Sequence, residues 1–277
     1  SSTVKALVVF DDGSGPALYV GGSFSNAGGV TVSSIAKWDG TEWSALAGPS
    51  GTGTNGIVEA LAVPDAGSDS ALFAGGTFTT AGGVTVNHIA RWDGTRWNAL
   101  AGPLGTGTTD TVYALAVSDH GTGPALYAGG HFSTAGGVTV NHIARWDGST
   151  WSALFGPSGT GMERAVYALA VHDDGSGSAL YAGGDYTTAG GVTANYIAKW
   201  DGTGWYALSG PSDTGVNDVV WAITSFDDGS GPALYAGGSF IAAGGLPSSR
   251  IAAWRCAGLF ADGFESGDTA AWSMTVP

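Results

Sequence analysis

Five tryptophans, Trp38, Trp92, Trp146, Trp200 and Trp254, stand at regular intervals of 54 residues. A period of this length marks one supersecondary unit copied along an array or around a ring. Five units account for nearly the whole chain of 277 residues. Glycine supplies 49 of those residues, more than twice the usual share of about 7%. The glycines recur at fixed places in the unit, so they mark turns and close packing rather than disorder.

The second unit shows what is repeated. Residues 57–63 form a short apolar run, as expected of a strand buried on both faces. A turn cluster follows at Pro64, Asp65 and Gly67, then a second strand ending in Gly75 and Gly76. After a longer loop, His88 to Trp92 alternate as a third strand. Asp93-Gly94 is a two-residue hairpin signal, and Arg96 to Leu100 form the fourth strand. Four short antiparallel strands in meander order, five times over, predict a β-propeller. An open solenoid is the alternative. Small residues at Ala6, Ala60, Ala114, Ala168 and Ala222 fit the narrowest part of such a ring. The Trp pairs (38/43, 92/97, 146/151 and 200/205) are expected to pack between neighbouring units.

The segments Leu18-Tyr19-Val20-Gly21-Gly22, Leu126-Tyr127-Ala128-Gly129-Gly130, Leu180-Tyr181-Ala182-Gly183-Gly184 and Leu234-Tyr235-Ala236-Gly237-Gly238, each with a downstream Trp, resemble the kelch-type propeller blade. The resemblance covers all five units and speaks to fold, not activity. A second motif, Ala27-Gly28-Gly29 and its copies, is extra to the kelch pattern and resembles a repeat variety of secreted bacterial proteins. The same resemblance points to a copper-dependent galactose oxidase, whose site needs a Tyr crosslinked to Cys and two His near the axis. Cys256 is the only cysteine. It lies in an aberrant fifth unit with no His pair to join it, so that chemistry is not carried over.

Composition narrows the partners. A net charge of −14 with nine Lys and Arg repels phosphate backbones and anionic lipid, which argues against nucleic acid. No apolar run is long enough for a membrane-spanning helix, so no membrane insertion is expected. The chain starts at Ser1, which fits a processed secreted form or a trimmed one. Sparse lysine and an acidic balance fit an extracellular or cell-surface location.

No nucleophile elbow, zinc-protease motif or phosphate loop is present. Units two and three are identical over residues 81–94 and 135–148, which leaves little room for one differentiated catalytic set. No catalytic residue, cofactor or metal site is therefore expected. The Asp-rich turns at Asp11-Asp12, Asp119-His120, Asp173-Asp174 and Asp227-Asp228 are read as Asx turns rather than Ca²⁺ sites. His88 and His142 are read as half-exposed residues at strand starts, and Asn87, Asn141 and Asn195 as partners of loop backbone.

Variation concentrates in one slot of the first strand: Lys5, Glu59, Tyr113, Tyr167 and Trp221. The connection into it varies too, at Asn55, Thr109-Asp110, Glu163-Arg164 and Asn217-Asp218. Three aromatics with flanking carboxylates suit stacking on a sugar ring. Packing between units, or plugging a channel, is the other use of such a slot.

The fifth unit breaks pattern after Trp254. Arg255-Cys256 replaces Asp-Gly, Leu259 stands where the second Trp belongs, and a Trp motif returns only at Trp272. Either 256–268 is a surface excursion and 270–276 folds back as the outer strand, or the tail pairs with a neighbouring subunit. Phe260, Phe264, Trp272, Met274 and Val276 are the apolar residues that would carry such a contact. The sequence around 258–268 resembles a short C-terminal tail of exported proteobacterial proteins.

The prediction is an all-β, five-bladed propeller over 1–257, with blades near 1–54, 55–108, 109–162, 163–216 and 217–257, and a tail at 258–277. Its expected role is an exported, non-enzymatic structural protein that partners with itself, a fibre or surface-layer subunit linked through the tail. A carbohydrate-binding propeller that takes a glycan is the alternative.

Overall fold

The structure is a computed structural model. It describes residues 2–64, 71–121, 123–229 and 231–255, and the backbone of 258–260. The described chain holds no helix and builds a four-stranded antiparallel sheet in each repeat. Two compact units result. Residues 1–154 hold the first three sheets, and 155–277 hold the fourth and fifth.

Repeat 2 shows how sequence becomes sheet. Its strands are Val58–Ala62, Leu72–Gly76, Ile89–Trp92 and Trp97–Ala99. Each pairs with the next in meander order. The second strand is buried along its whole length because it is flanked by two strands and covered on both faces. That double covering explains its Leu-Phe-Ala-Gly-Gly composition, which shows no polar alternation. The first strand alternates buried and half-buried residues. First strands of neighbouring repeats lie side by side within each unit.

Hydrophobic cores form between repeats rather than within them. One cluster joins Phe10, Ala17, Tyr19, Ile35 and Leu46 of repeat 1 to Val58, Leu72, Phe78, Trp92 and Trp97 of repeat 2. Equivalent clusters join repeats 2 and 3 and repeats 4 and 5. The rings of each Trp pair lie 5.2–5.4 Å apart, tilted by 44–54°. Trp97 Nε1 donates to the Leu46 carbonyl at 3.4 Å, and Trp151 Nε1 to the Leu100 carbonyl at 3.2 Å. The Trp92/Trp97 and Trp146/Trp151 pairs thus do pack between neighbouring repeats, and Trp97 and Trp151 also tie backbone across the gap.

The extra Ala-Gly-Gly motif has a packing role. The hairpin leaving repeat 1 brings Gly48 against Gly82 of repeat 2, so closely that a Cβ on Gly48 would lie 2.3 Å from the Gly82 carbonyl oxygen. Gly82 N–H also donates to the Gly53 carbonyl at 2.7 Å. Gly102 with Gly136, Gly156 with Gly190 and Gly210 with Gly244 repeat the close approach.

Three expectations change. The Asp-Gly hairpin is a four-residue connection, because Trp92 pairs with Trp97. Gly94 alone takes the left-handed conformation, at φ 94°, while Asp93 Oδ1 accepts from the N–H groups of Thr95 and Arg96 at 3.0 and 2.9 Å. The fourth strand of sheet five is Gly258–Phe260, with Leu259 opposite Trp254. It occupies the place the sequence reading gave to 270–276. Of the small first-strand alanines, Ala60, Ala114 and Ala168 are buried, but Ala6 is half-buried and Ala222 exposed. Of the apolar tail residues, Phe260 lies in the last described strand. Phe264, Trp272, Met274 and Val276 lie outside the described residues, as does Cys256.

Candidate functional site

The variable slot of the first strand is a β-bulge in every repeat. Register shifts fall between Val4 and Ala6, at Ala60/Val58, and between Val112/Ala114, Val166/Ala168 and Val220/Ala222. The positions the register skips are Lys5, Glu59, Tyr113, Tyr167 and Trp221. A bulged residue is released from pairing and its side chain is re-aimed. This is why residue type is free to vary there while the flanking residues stay fixed.

Bulge residues of consecutive repeats meet one another. Lys5 Nζ lies 3.3 Å from Glu59 Oε2. The rings of Tyr167 and Trp221 stack at 4.7 Å with an interplanar angle of 31°. Tyr113 is half-buried in the third repeat. The structure therefore brings together an ion pair in the first unit and an aromatic pair in the second. Trp221 is 53% exposed, and its Nε1 donates to Ser239 Oγ at 2.9 Å. Two further pairs hold this edge of their repeats: His131 with Asp110 at 3.1 Å and Arg164 with Asp185 at 3.2 Å.

The variable connection does not supply free groups for a ligand. Asn55 Oδ1 accepts from the N–H groups of Thr79 and Thr80 at 2.8 and 2.9 Å. Thr109 Oγ1 does the same for Ser133 and Thr134, Glu163 for Thr187 and Thr188, and Asn217 for Ile241 and Ala242. Three residue types at four positions thus perform one task, closing the loop before the Ala-Gly-Gly motif. The Glu163 carboxyl is pushed up by partial burial, but the Thr187 and Thr188 donors outweigh that and hold it below its ordinary value. A flanking carboxylate for a sugar, expected at Glu163, is already engaged by backbone. Asp110 and Asp218 likewise accept from the N–H groups of Thr111 and Val219.

The Asp-rich turns are also satisfied internally. Asp11 Oδ1 accepts from Gly13 and Gly15 N–H at 2.9 and 3.0 Å. Asp12 Oδ2 takes Lys37 Nζ at 2.6 Å and the Tyr19 hydroxyl at 2.7 Å. Burial alone would raise the Asp12 carboxyl, but Lys37, Ser14 and Tyr19 together hold it well below the carboxylate range. Asp174 with Lys199 and Tyr181, and Asp228 with Arg255 and Tyr235, repeat the arrangement. Among the described residues no group of three or more His, Cys, Asp or Glu side chains is placed to hold a metal.

His88 and His142 begin their strands half-buried, in the left-handed conformation at φ 67° and 69°. Nδ1 of His88 lies 3.0 Å from the Thr108 carbonyl, so that nitrogen carries the proton. Asn87 and Asn195 donate to the carbonyls of Thr106 and Thr214, at 3.1 Å each. These are loop-backbone contacts, as the sequence suggested.

A second surface was not foreseen. Repeat 1 exposes Val4, Leu7 and Val9 at 55%, 61% and 66%, and repeat 5 exposes Phe226 at 59%. Trp38, Trp43 and Phe24 are half-buried, although their repeat-2 counterparts Trp92, Trp97 and Phe78 are buried. Tyr235 and Ile251 are half-buried, although Tyr19 and Ile35 are buried.

No family model matches the chain, and no curated protein matches it in sequence.

Proposed function

We propose that this chain is an exported, non-enzymatic structural protein built of kelch-type propeller blades, and that it works by contact with copies of itself. The observation that carries the reading is the apolar surface at the first and last repeats. Val4, Leu7 and Val9 are exposed on the first strand of repeat 1, and Phe226 on the first strand of repeat 5. Large apolar side chains exposed together on one strand suit a protein–protein contact. The acidic net charge of −14 keeps such a protein soluble while leaving apolar contact as the main attraction. Light scattering across a dilution series tests the reading. The mass should rise above the 27.5 kDa of one chain with concentration, and a constant 27.5 kDa would contradict it.

A second reading, glycan binding, is favoured by the Tyr167–Trp221 stack alone. The exposed Trp221 face suits the apolar side of a pyranose ring. A glycan array with the full chain and with Trp221→Ala tests this. Binding lost in the variant supports it, and equal profiles end it.

A further inference from the structure

We infer that the seam between repeats 4 and 5 is sensitive to pH: in mild acid His172 takes up a proton that the closed seam cannot accommodate, and the two repeats loosen against each other. The inference concerns one seam inside the second unit and does not depend on self-contact.

His172 lies in the first strand of repeat 4, Val166–Asp173, and is only 4% exposed. Its cross-strand partner is Ala179. Ala179 and Tyr181 belong to the apolar cluster that joins repeats 4 and 5. The seam is close-packed, since a Cβ on Gly183 would lie 2.5 Å from Val220 Cγ1 and 2.8 Å from Ile223 Cδ1. The imidazole stands edge-on to the Tyr181 ring at 5.8 Å and 61°. In repeat 1 Phe10 fills the same slot beside Tyr19, at 5.4 Å and 58°. Pro64 and Ser118 fill it in repeats 2 and 3, and Phe226 in repeat 5. His172 is thus a titratable ring in a slot otherwise given to groups that carry no charge.

The two ring nitrogens have different surroundings. Nδ1 lies 2.8 Å from Ser225 Oγ, on the first strand of repeat 5, Val220–Asp227, so this bond crosses the seam. Placing the neutral ring's proton on Nδ1 gives it an acceptor in the Ser225 hydroxyl and leaves Nε2 bare. Nε2 is buried and has no hydrogen-bond partner. The imidazolium needs a second N–H there, charged, buried and without an acceptor, which is costly.

The charged groups around the ring are already engaged. Asp173 Oδ1 accepts from the N–H groups of Gly175 and Gly177. Asp174 accepts from Lys199, Ser176 and Tyr181. Repeat 5 brings Asp227, held by the N–H groups of Gly229 and Gly231, and Arg255, paired with Asp228. Burial pushes the imidazole down. Asp174 and Asp173 pull it up, Lys199 adds to the downward push, and the ring is held below its ordinary value.

The direction of the effect follows. An opened or unfolded His titrates near about 6.5, and the closed seam's His titrates lower. As pH falls, the opened state therefore binds the proton first. The seam is at full strength above about pH 6.5 and weakens as pH falls from there toward the folded value. That window lies well above the range in which carboxylates titrate.

Hydrogen exchange of the full chain in dilute solution, at about pH 7.5 and about pH 5, reads the seam directly once the intrinsic pH dependence of exchange is removed. The amides of Val220–Asp227 should open several-fold more often in acid. Those of Val58–Ala62, at the seam that carries Phe10, should not change. His172→Phe copies Phe10 and should abolish the acid opening of repeat 5. Should that variant fail to fold, His172→Ser, which copies the residue of repeat 3, takes its place with the same expected outcome. Equal protection of Val220–Asp227 at both pH values in the wild type would overturn the inference. Acid opening that persists undiminished in the variant would overturn it too, because another group would then be responsible.

Discussion

The junction between repeats 1 and 2 and the first strands of repeats 1 and 5 carry similar apolar side chains and differ in exposure. At the junction Val58, Leu72, Phe78 and Tyr19 are buried, and Gly21 has a valine in its lap. In the first strands of repeats 1 and 5, Val4, Leu7 and Phe226 are exposed, and among the described residues a Cβ on Gly237 would meet nothing closer than the Arg250 carbonyl at 3.9 Å. In a repeat array most stability comes from neighbour interfaces rather than from single units. The comparison therefore predicts that one substitution has two different costs, set only by its place in the array.

The largest difference should come from deleting a core leucine. Leu72→Ala removes a fully buried side chain and should cost about 2–5 kcal/mol. Leu7→Ala removes an exposed one and should cost less than about 0.5 kcal/mol in dilute solution. Urea unfolding of both variants measures this, and equal costs would break the comparison. Next comes overpacking. Gly75→Ala drives a Cβ to 2.6 Å from Val112 and should cost about 1–3 kcal/mol, whereas Gly237→Ala should be near neutral in the single chain. Trp97→Phe then removes the bond to the Leu46 carbonyl and should cost about 1–2 kcal/mol. Trp43→Phe, at the half-buried end position, should cost visibly less.

Protonating the turn aspartates should give the smallest effect and should not distinguish ends from middle. Asp39, in repeat 1, is drawn down to about 2 by the Glu42 N–H, then by the Thr41 hydroxyl and N–H. Asp201, in repeat 4, is pushed up by slight burial. The Thr203 N–H and hydroxyl and the Gly204 N–H outweigh this and bring it to about 2. Both folded values lie below the unfolded value of about 3.9. Their stabilisation is therefore complete above about pH 4 and lost as pH falls through about 2. Thermal unfolding of Asp39→Asn and Asp201→Asn at neutral and acid pH checks this. Each variant should fall below the wild type at neutral pH and converge with it near pH 2.

The periodicity made the four-stranded sheets and the inter-repeat Trp pairs legible, because both depend on residues fixed at one spacing. The bulge row was legible as variation, since a residue that the strand register skips is free to change. Its mechanism was not, because no residue type marks a bulge when Lys5, Tyr113 and Trp221 all serve. The loop closures were misread for a related reason. Asn, Thr and Glu look unlike one another, but Asn55, Thr109, Glu163 and Asn217 each bring one oxygen-bearing group to the equivalent two N–H groups. The last strand escaped notice because Leu259 stands in a slot that elsewhere holds Trp. The exposed first strands of repeats 1 and 5 were invisible for the opposite reason. Their residues match the interior, and only the burial separates Leu7 from its half-buried counterpart Leu61.

Light scattering of the wild type across a dilution series, beside Leu7→Asp, is the most direct test of the self-contact reading. The account predicts a wild-type mass that rises above 27.5 kDa with concentration and a weaker rise for the variant, whose substituted side chain is exposed. A constant mass of 27.5 kDa for the wild type would contradict it.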